Sequence, residues 1–365
     1  MKRKLSFPFI VFLTLILNLY SCSKTEKTEY TNAIPANATG LAAIDMKAIV
    51  EKAGLNSAGN QDFQKKFLGL LLEGSTPTLG TQIEKLLKNP AETGIDWETP
   101  VYVFNAPSLH SMTAALKVND LKKLESLIDM LAKENICTIP TKADKYSTTE
   151  IKDAGIQLAF NDGTLLAIYA QSTTQLKKLS AAIAMLMKQP ADKSIHTNEH
   201  FDSMMKQRGD IRLLATPEVL PFDMRGVLNW PQNTRLTGSV LFENGKIYAN
   251  LQRAGFNGET KESNQPFHPQ SNQELLQAMM QMMQGKPFNI ELTSNELLTL
   301  TNLHAIMEFE PDNTEVNTLY GLIMKIETLN ARGDNNRTTF TVTLKEKGQN
   351  SLKQLVDFAR QFIGL

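Results

Sequence analysis

The sequence predicts an α+β fold: antiparallel sheets with helices packed on one face, arranged as two similar halves. Three observations lead there. Short apolar runs alternate with amphipathic segments along the chain after the first 32 residues. Two pairs of apolar runs are joined by Asn161-Asp162-Gly163 and Glu243-Asn244-Gly245, turns so short that the flanking strands must be antiparallel neighbours. A strand followed by a Leu/Lys-rich helix recurs in Thr113 to Asp129, in Leu165 to Leu179, and in Phe340 to Leu344 with Ser351 to Asp357. Duplication and amphipathic convergence both produce such likeness, and the spacing is too irregular for a solenoid.

The first 22 residues read as an export signal. Lys2, Arg3 and Lys4 form a basic start, and Leu5 to Tyr20 is apolar apart from Ser6, Pro8, Thr14 and Asn18. The apolar run is shorter than the roughly 20 residues a membrane-spanning helix needs. Leu19-Tyr20-Ser21-Cys22 resembles a bacterial lipobox, with Tyr20 bulkier than the commonest residue there. The resemblance implies cleavage after Ser21 and acylation of Cys22, with palmitate or a similar chain, and two or more acyl chains give stable anchoring. Ser23 to Asn32 is polar and predicts a flexible tether. The expected layout is therefore a signal peptide at 1–21, a tether at 22–32, an N-terminal domain at 33–195 and a C-terminal domain at 196–365.

The mature chain is long enough for two ordinary domains. Lys plus Arg and Asp plus Glu number 38 each, so no global charge argues for nucleic acid as partner. Aromatic residues make up 7%, too few for an obvious base-stacking or sugar-stacking platform. Cys137 is the single cysteine after Cys22, and its neighbours Ile136 and Ile139 predict a buried apolar residue.

Taken in order, Ala42 to Ile44 reads as a strand and Lys47 to Lys52 as a helix stopped by Gly54. Phe63 to Leu72 and Ile83 to Leu87 carry apolar residues at helical spacing. Val101 to Phe104 and Met112 to Val118 read as strands. Leu121, Leu124, Leu127, Ile128 and Leu131 share one helix face. The first hairpin joins Ile156–Phe160 to Leu165–Tyr169, because Asp-Gly tolerates positive φ. A helix at Leu176 to Met187 ends at Pro190, and a strand follows at Ile211 to Ala215. The second hairpin joins Leu236–Phe242 to Ile247–Leu251. Leu275 to Met283 reads as a helix and Phe288 to Leu292 as a strand. Leu319–Leu329 and Thr339–Leu344 flank a Gly333-Asp334-Asn335-Asn336 turn, and Ser351 to Ile363 closes the chain as a helix.

Few motifs carry chemistry. His196-Thr-Asn-Glu199-His200 matches the inverted zinc-peptidase pattern, in which two histidines on one helix face hold zinc and the glutamate activates water. His196, Glu199 and His200 are thus the candidate metal and catalytic residues. Against this, His196 lies in a loop-like stretch after Pro190, and Asn198 reads as the cap of a helix whose core face holds Phe201 and Met204. No third ligand is marked by any motif. Met279, Met280 and Met283 share a helix face with Leu275 and Leu276, a packing pattern that leaves Met282 over; a Cu(I) thioether site is the functional alternative. Trp97 and Trp230 read as loop anchors rather than sugar platforms. Asp202-Ser203-Met204 resembles a short O-glycosylation acceptor, but falls on an expected helix.

Three segments carry a wider resemblance: Ala33 to Leu55 directly after the tether, Gly94 to Phe104, and Phe201 to Ile211. They resemble a family of lipoproteins from Gram-negative anaerobes of the Bacteroides type, known as a domain of unknown function. The resemblance implies an envelope lipoprotein with α+β halves and transfers no catalytic residue. Together these readings give an expectation of a non-enzymatic lipoprotein of the outer membrane, tethered by Cys22, without cofactor, that binds another envelope component. A zinc hydrolase using His196, Glu199 and His200, or a small-ligand binder with its site between the halves, are the alternatives.

Overall fold

A computed structural model describes residues 29–55, 77–105, 111–151, 154–170, 173–219, 233–254, 265–309, 313–334 and 336–363. The expected signal peptide, Cys22, the helix expected at Phe63 to Leu72, and Trp230 lie outside the described residues. The chain forms two compact units, Met1–Asp202 and Ser203–Leu365.

In the N-terminal unit, β1 (Gly40–Ile44) runs into α1 (Met46–Lys52), whose start is fixed by the Asp45 side chain accepting from the Ala48 N–H. Then follow α2 (Pro77–Lys88), β2 (Val101–Asn105) and β3 (Met112–Lys117). Next comes α3 (Leu121–Lys133), capped by Asp120 accepting from Lys123 N–H. Four strands return: β4 (Thr141–Lys142), β5 (Ser147–Ile151), β6 (Ile156–Phe160) and β7 (Thr164–Tyr169). The helices α4 (Thr173–Met187) and α5 (Glu199–Met205) follow. The sheet order is β1-β2-β3-β7-β6-β5-β4, antiparallel throughout.

Leu124 and Ile128 of α3 pack on Leu116, Leu158 and Leu165, the alternate residues of three neighbouring strands. Leu166 and Ile168, on the opposite face of β7, are fully buried as well. The turn at Tyr30–Ala33 packs on β3 and β7, and α4 packs on β6. Residues 30 to 32 thus leave the expected tether. Tyr30 is buried, its ring lies 5.6 Å from that of Tyr102, and its hydroxyl donates to the Pro100 carbonyl at 2.7 Å. An aromatic ring with a satisfied hydroxyl gains more by burial than a polar tether gains by freedom.

In the C-terminal unit, β8 (Ile211–Ala215), β9 (Arg235–Glu243) and β10 (Lys246–Ala254) are followed by α6 (Asn272–Met283), β11 (Phe288–Thr293), α7 (Ser294–Leu300), α8 (Leu303–Phe309) and α9 (Thr314–Lys325). β12 (Ile326–Gly333), β13 (Arg337–Leu344) and α10 (Ser351–Ile363) complete it. Its order is β8-β9-β10-β13-β12-β11, again antiparallel. Phe288, Ile290 and Leu292 of β11 and Ala331 of β12 form the core with Ala278 of α6 and Leu300 of α7.

The two units therefore share one plan. Three strands lie side by side, a helix crosses over, and the returning strands place the last one against the third before a helix leaves the sheet. Under this plan β7–α4 corresponds to β13–α10. The sequence likeness between Thr113–Asp129 and Phe340–Asp357 instead pairs positions that are not equivalent, since β3–α3 corresponds to β10–α6.

Three local expectations change. The turn at 161–163 is closed not by positive φ at Gly163 but by Asn161, whose side chain accepts from Gly163 and Thr164 N–H at 3.0 and 2.9 Å. Gly245 in the second hairpin does take φ +63°. Leu319 to Lys325 is helical, because Asn313 accepts from Glu315 and Val316 N–H and starts α9 there. On α6, Leu275, Ala278 and Met282 face the core, while Leu276, Met279 and Met280 are exposed. Spacing fitted either face; the β11–β12 sheet chose the one with Ala278, the small residue that lets helix and sheet approach.

Candidate functional site

β10 alternates sharply. Ile247, Ala249, Leu251 and Arg253 lie on one face, Tyr248, Asn250 and Gln252 on the other. β13 does the same with Phe340 and Val342 against Arg337, Thr339 and Thr341. Because Asn250 pairs with Ser239 and with Thr339, and Thr339 pairs with Arg332, the polar residues of four strands fall in one row. Arg212 of β8 extends it beside Ser239. The apolar face opposite is the one covered by α6 and α7.

Over this polar face lies a cleft of about 620 Å³, bounded at one side by the end of α5 and the residues after it. Lys206, Arg208, Arg332 and Arg337 line it, with no Asp, Glu, His or Cys among its lining residues. Arg208 donates to Glu243 at 2.9 Å on the rim. Arg337 Nε donates to Asn250 Oδ1 at 3.0 Å, which aims the guanidinium along the sheet. Among the described residues, Lys206, Arg332 and Arg337 have no carboxylate partner. Arg332 and Arg337 are diagonal neighbours on one face, which sets the two residues roughly 7–8 Å apart, with their Cβ atoms somewhat closer. Gln207 donates to Thr237 Oγ1 at 2.9 Å, and its own Oε1 is buried without a partner among the described residues. This arrangement offers positive charge, amide and hydroxyl groups, with no carboxylate, imidazole or thiol in the lining.

The sequence did not mark this cleft. The available signal was Arg332-Gly-Asp-Asn-Asn-Arg337, two arginines flanking a turn on threonine-rich strands. Sequence reasoning also missed Arg253, the buried cation of β10's core face. Its Nη1 donates to the Met282 carbonyl at 3.1 Å and its Nη2 to the Asp334 carbonyl at 2.6 Å and Thr338 Oγ1 at 3.3 Å. Burial lowers its pKa from the ordinary value, partly offset by Asp334.

His196, Glu199, His200, Cys137 and Trp97, singled out from sequence, lie in the N-terminal unit. His196 sits in a tight turn, Ile195–Thr197, and Asn198 is extended before α5 begins at Glu199. His196 and His200 are therefore not on one helix. His196 Nε2 lies 2.8 Å from Thr31 Oγ1 and 3.5 Å from Glu29, with its ring edge-on to Phe201. His200 Nε2 instead faces Glu199 at 3.3 Å. Among the described residues, no three His, Cys, Asp or Glu side chains come together as a metal site. Asn198 Oδ1 accepts from His200 N–H at 3.0 Å, and Phe201 and Met204 are buried, the helix start read from sequence. Cys137 is buried with its thiol toward the Ile128 carbonyl, and burial raises its pKa. Trp97 is buried, its Nε1 donating to Thr93 Oγ1 at 3.1 Å. Asp202 and Ser203 are exposed on α5.

A family described as a domain of unknown function (DUF4836) matches residues 30–252. No protein of curated function matches the sequence. Among solved structures, the chain is similar to crystal form I of TP0453, with 9% identity over 92% of this chain and 98% of that one and a TM-score of 0.34. For crystal form III the identity is 9%, the coverage 92% and 99%, and the TM-score 0.36. Scores that low do not establish a shared fold.

Proposed function

The chain belongs to the DUF4836 family, and from that premise we propose that it is an exported lipoprotein of the outer membrane whose folded body binds rather than catalyses. The observation that carries the anchoring is Leu19-Tyr20-Ser21-Cys22 directly after a basic start and a short apolar run. The family match begins at residue 30, only a few residues beyond that cysteine, so the segment between is a short link to a lipid-held body. Three further observations support binding. The cleft described above in the C-terminal unit is cationic and polar, a surface suited to holding an anion. His196 and His200 are turned to different partners. The cysteine of the body is buried and held as the thiol. The membrane is contacted through acylated Cys22, and the body engages an envelope component.

The test is metabolic labelling with radioactive palmitate, with membrane fractionation of the full chain and of Cys22→Ala. The proposal expects label on the wild-type chain, recovery with the membrane, and an unlabelled, uncleaved variant. A wild-type chain that is cleaved but unlabelled would refute it.

A further inference from the structure

We infer that the cleft of the C-terminal unit binds a small, hydroxyl-rich ligand carrying phosphate groups: a sugar phosphate or a polyol-phosphate headgroup. This deepens the binding reading above and rests on it.

The argument begins with charge. Lys206, Arg208, Arg332 and Arg337 converge on one cleft, and among the described residues only Arg208 is matched by a carboxylate. Two arginines set diagonally on one sheet face repel each other when nothing anionic lies between them. One carboxylate, Glu291 of β11, stands diagonal to Arg332 on the same face, but it accepts from Asn330 and forms no ion pair with Arg332 among the described residues. Uncompensated guanidinium pairs are suited to planar or tetrahedral oxyanions, which they grip with two parallel N–H donors. The diagonal Arg332–Arg337 spacing, roughly 7–8 Å between the residues, admits one phosphate between the two or a separate phosphate on each.

The floor sets the rest of the ligand. Ser239, Asn250, Thr339 and Thr341 present hydroxyl and amide groups in register across β9, β10 and β13. Gln207 lies beside them, its amide nitrogen donated to Thr237 Oγ1. Tyr248 supplies a ring beside this row. About half of the lining surface is polar, so a sugar or polyol finds partners for its hydroxyls there and apolar surface for its carbons.

Calorimetric titration of the full chain in detergent tests this, using four probes: fructose 1,6-bisphosphate, fructose, inorganic phosphate, and glycerophosphoglycerol, the deacylated headgroup of phosphatidylglycerol. The inference expects saturable binding of the bisphosphate, at least tenfold weaker binding of inorganic phosphate, and none of fructose. Arg332→Gln with Arg337→Gln should weaken the bisphosphate at least tenfold while the thermal midpoint stays unchanged. Should that pair fail to fold, Lys206→Gln, on an exposed position after α5, must weaken binding in its place. Tighter binding of glycerophosphoglycerol than of the bisphosphate supports the same chemistry and identifies a lipid headgroup as its source. Absence of saturable binding by all three anions, or affinity unchanged in folded arginine variants, overturns the inference. An acylated Cys22 with no anion binding refutes this inference alone, while anion binding by a chain that is never acylated refutes only the anchoring.

Discussion

Replacing Arg253 by methionine isolates what a buried cation does for the C-terminal unit. Arg253 is 5% exposed and, among the described residues, donates to the Met282 carbonyl in the last turn of α6, the Asp334 carbonyl at the β12–β13 turn, and Thr338 Oγ1 on β13. It thus ties the crossover helix to the returning hairpin. Hydrogen bonds with a charged donor are worth about 1.5–3 kcal/mol each, and the Met282 carbonyl adds favourable charge at a helix C-terminus. The full sum overstates the loss, because the guanidinium recovers its hydration in the unfolded chain and methionine fills part of the volume. A net cost of about 3 kcal/mol follows, with the buried carbonyls left unpaired as its main part. For a unit of this size each kcal/mol lowers the midpoint by about 2–4 °C, so Arg253→Met should melt roughly 6–12 °C below wild type. Circular dichroism melts of the two full chains read this directly. Arg253→Lys should fall between them, since one ammonium cannot span all three acceptors. A drop of less than about 2 °C for Arg253→Met would refute the tie.

Tyr30→Phe removes the hydroxyl donated to Pro100 and should cost about 1 kcal/mol in a denaturant titration. Burial, reinforced by Tyr102, raises the Tyr30 pKa, so the unfolded phenol ionises first, near its ordinary value of about 10. The stability that Tyr30 contributes is complete below that pH and falls as pH rises above it; a spectrophotometric titration should find this phenol still protonated when exposed tyrosines have ionised. Cys137, buried and with its pKa raised, should resist iodoacetamide at pH 8 in the folded chain and react fully in denaturant; rapid native alkylation would contradict its placement. Glu296 accepts from the Thr293 backbone N–H and hydroxyl in the capping box of α7, bonds that hold its carboxyl below its usual pKa, with His268 adding a smaller effect. Its contribution is present above the unfolded value near 4.3 and lost as pH falls through the depressed one. Glu296→Gln should therefore cost about 0.5–1 kcal/mol at pH 7 and nothing measurable well below pH 3, small because the pair is partly exposed.

The sequence by itself determined those features whose causes lie within a few residues. Asn198 before Phe201 and Met204 marks the start of α5, since a cap and a core face are both local. Asn244-Gly245 fixes the β9–β10 hairpin, because the turn needs the positive φ that Gly245 adopts. The alternation of β10 and β13 was equally legible as two strands with one polar and one apolar face. Tertiary structure decided what those faces meet. The cleft exists because β13 returns to lie on β10, bringing Arg337 opposite Gln252 and Thr339 opposite Asn250 across a long stretch of chain. Strand pairing of that kind is set by the whole sheet, so neither the converging charge nor the role of Arg253 leaves a periodic trace in the sequence. The same reason governs α6. Its methionines satisfied helical spacing on either side, and only contact with Phe288, Ile290 and Ala331 turned Met282 inward and left Met279 and Met280 in solvent. Local hydrogen bonding chooses an element; the partner it buries against chooses which of its residues act.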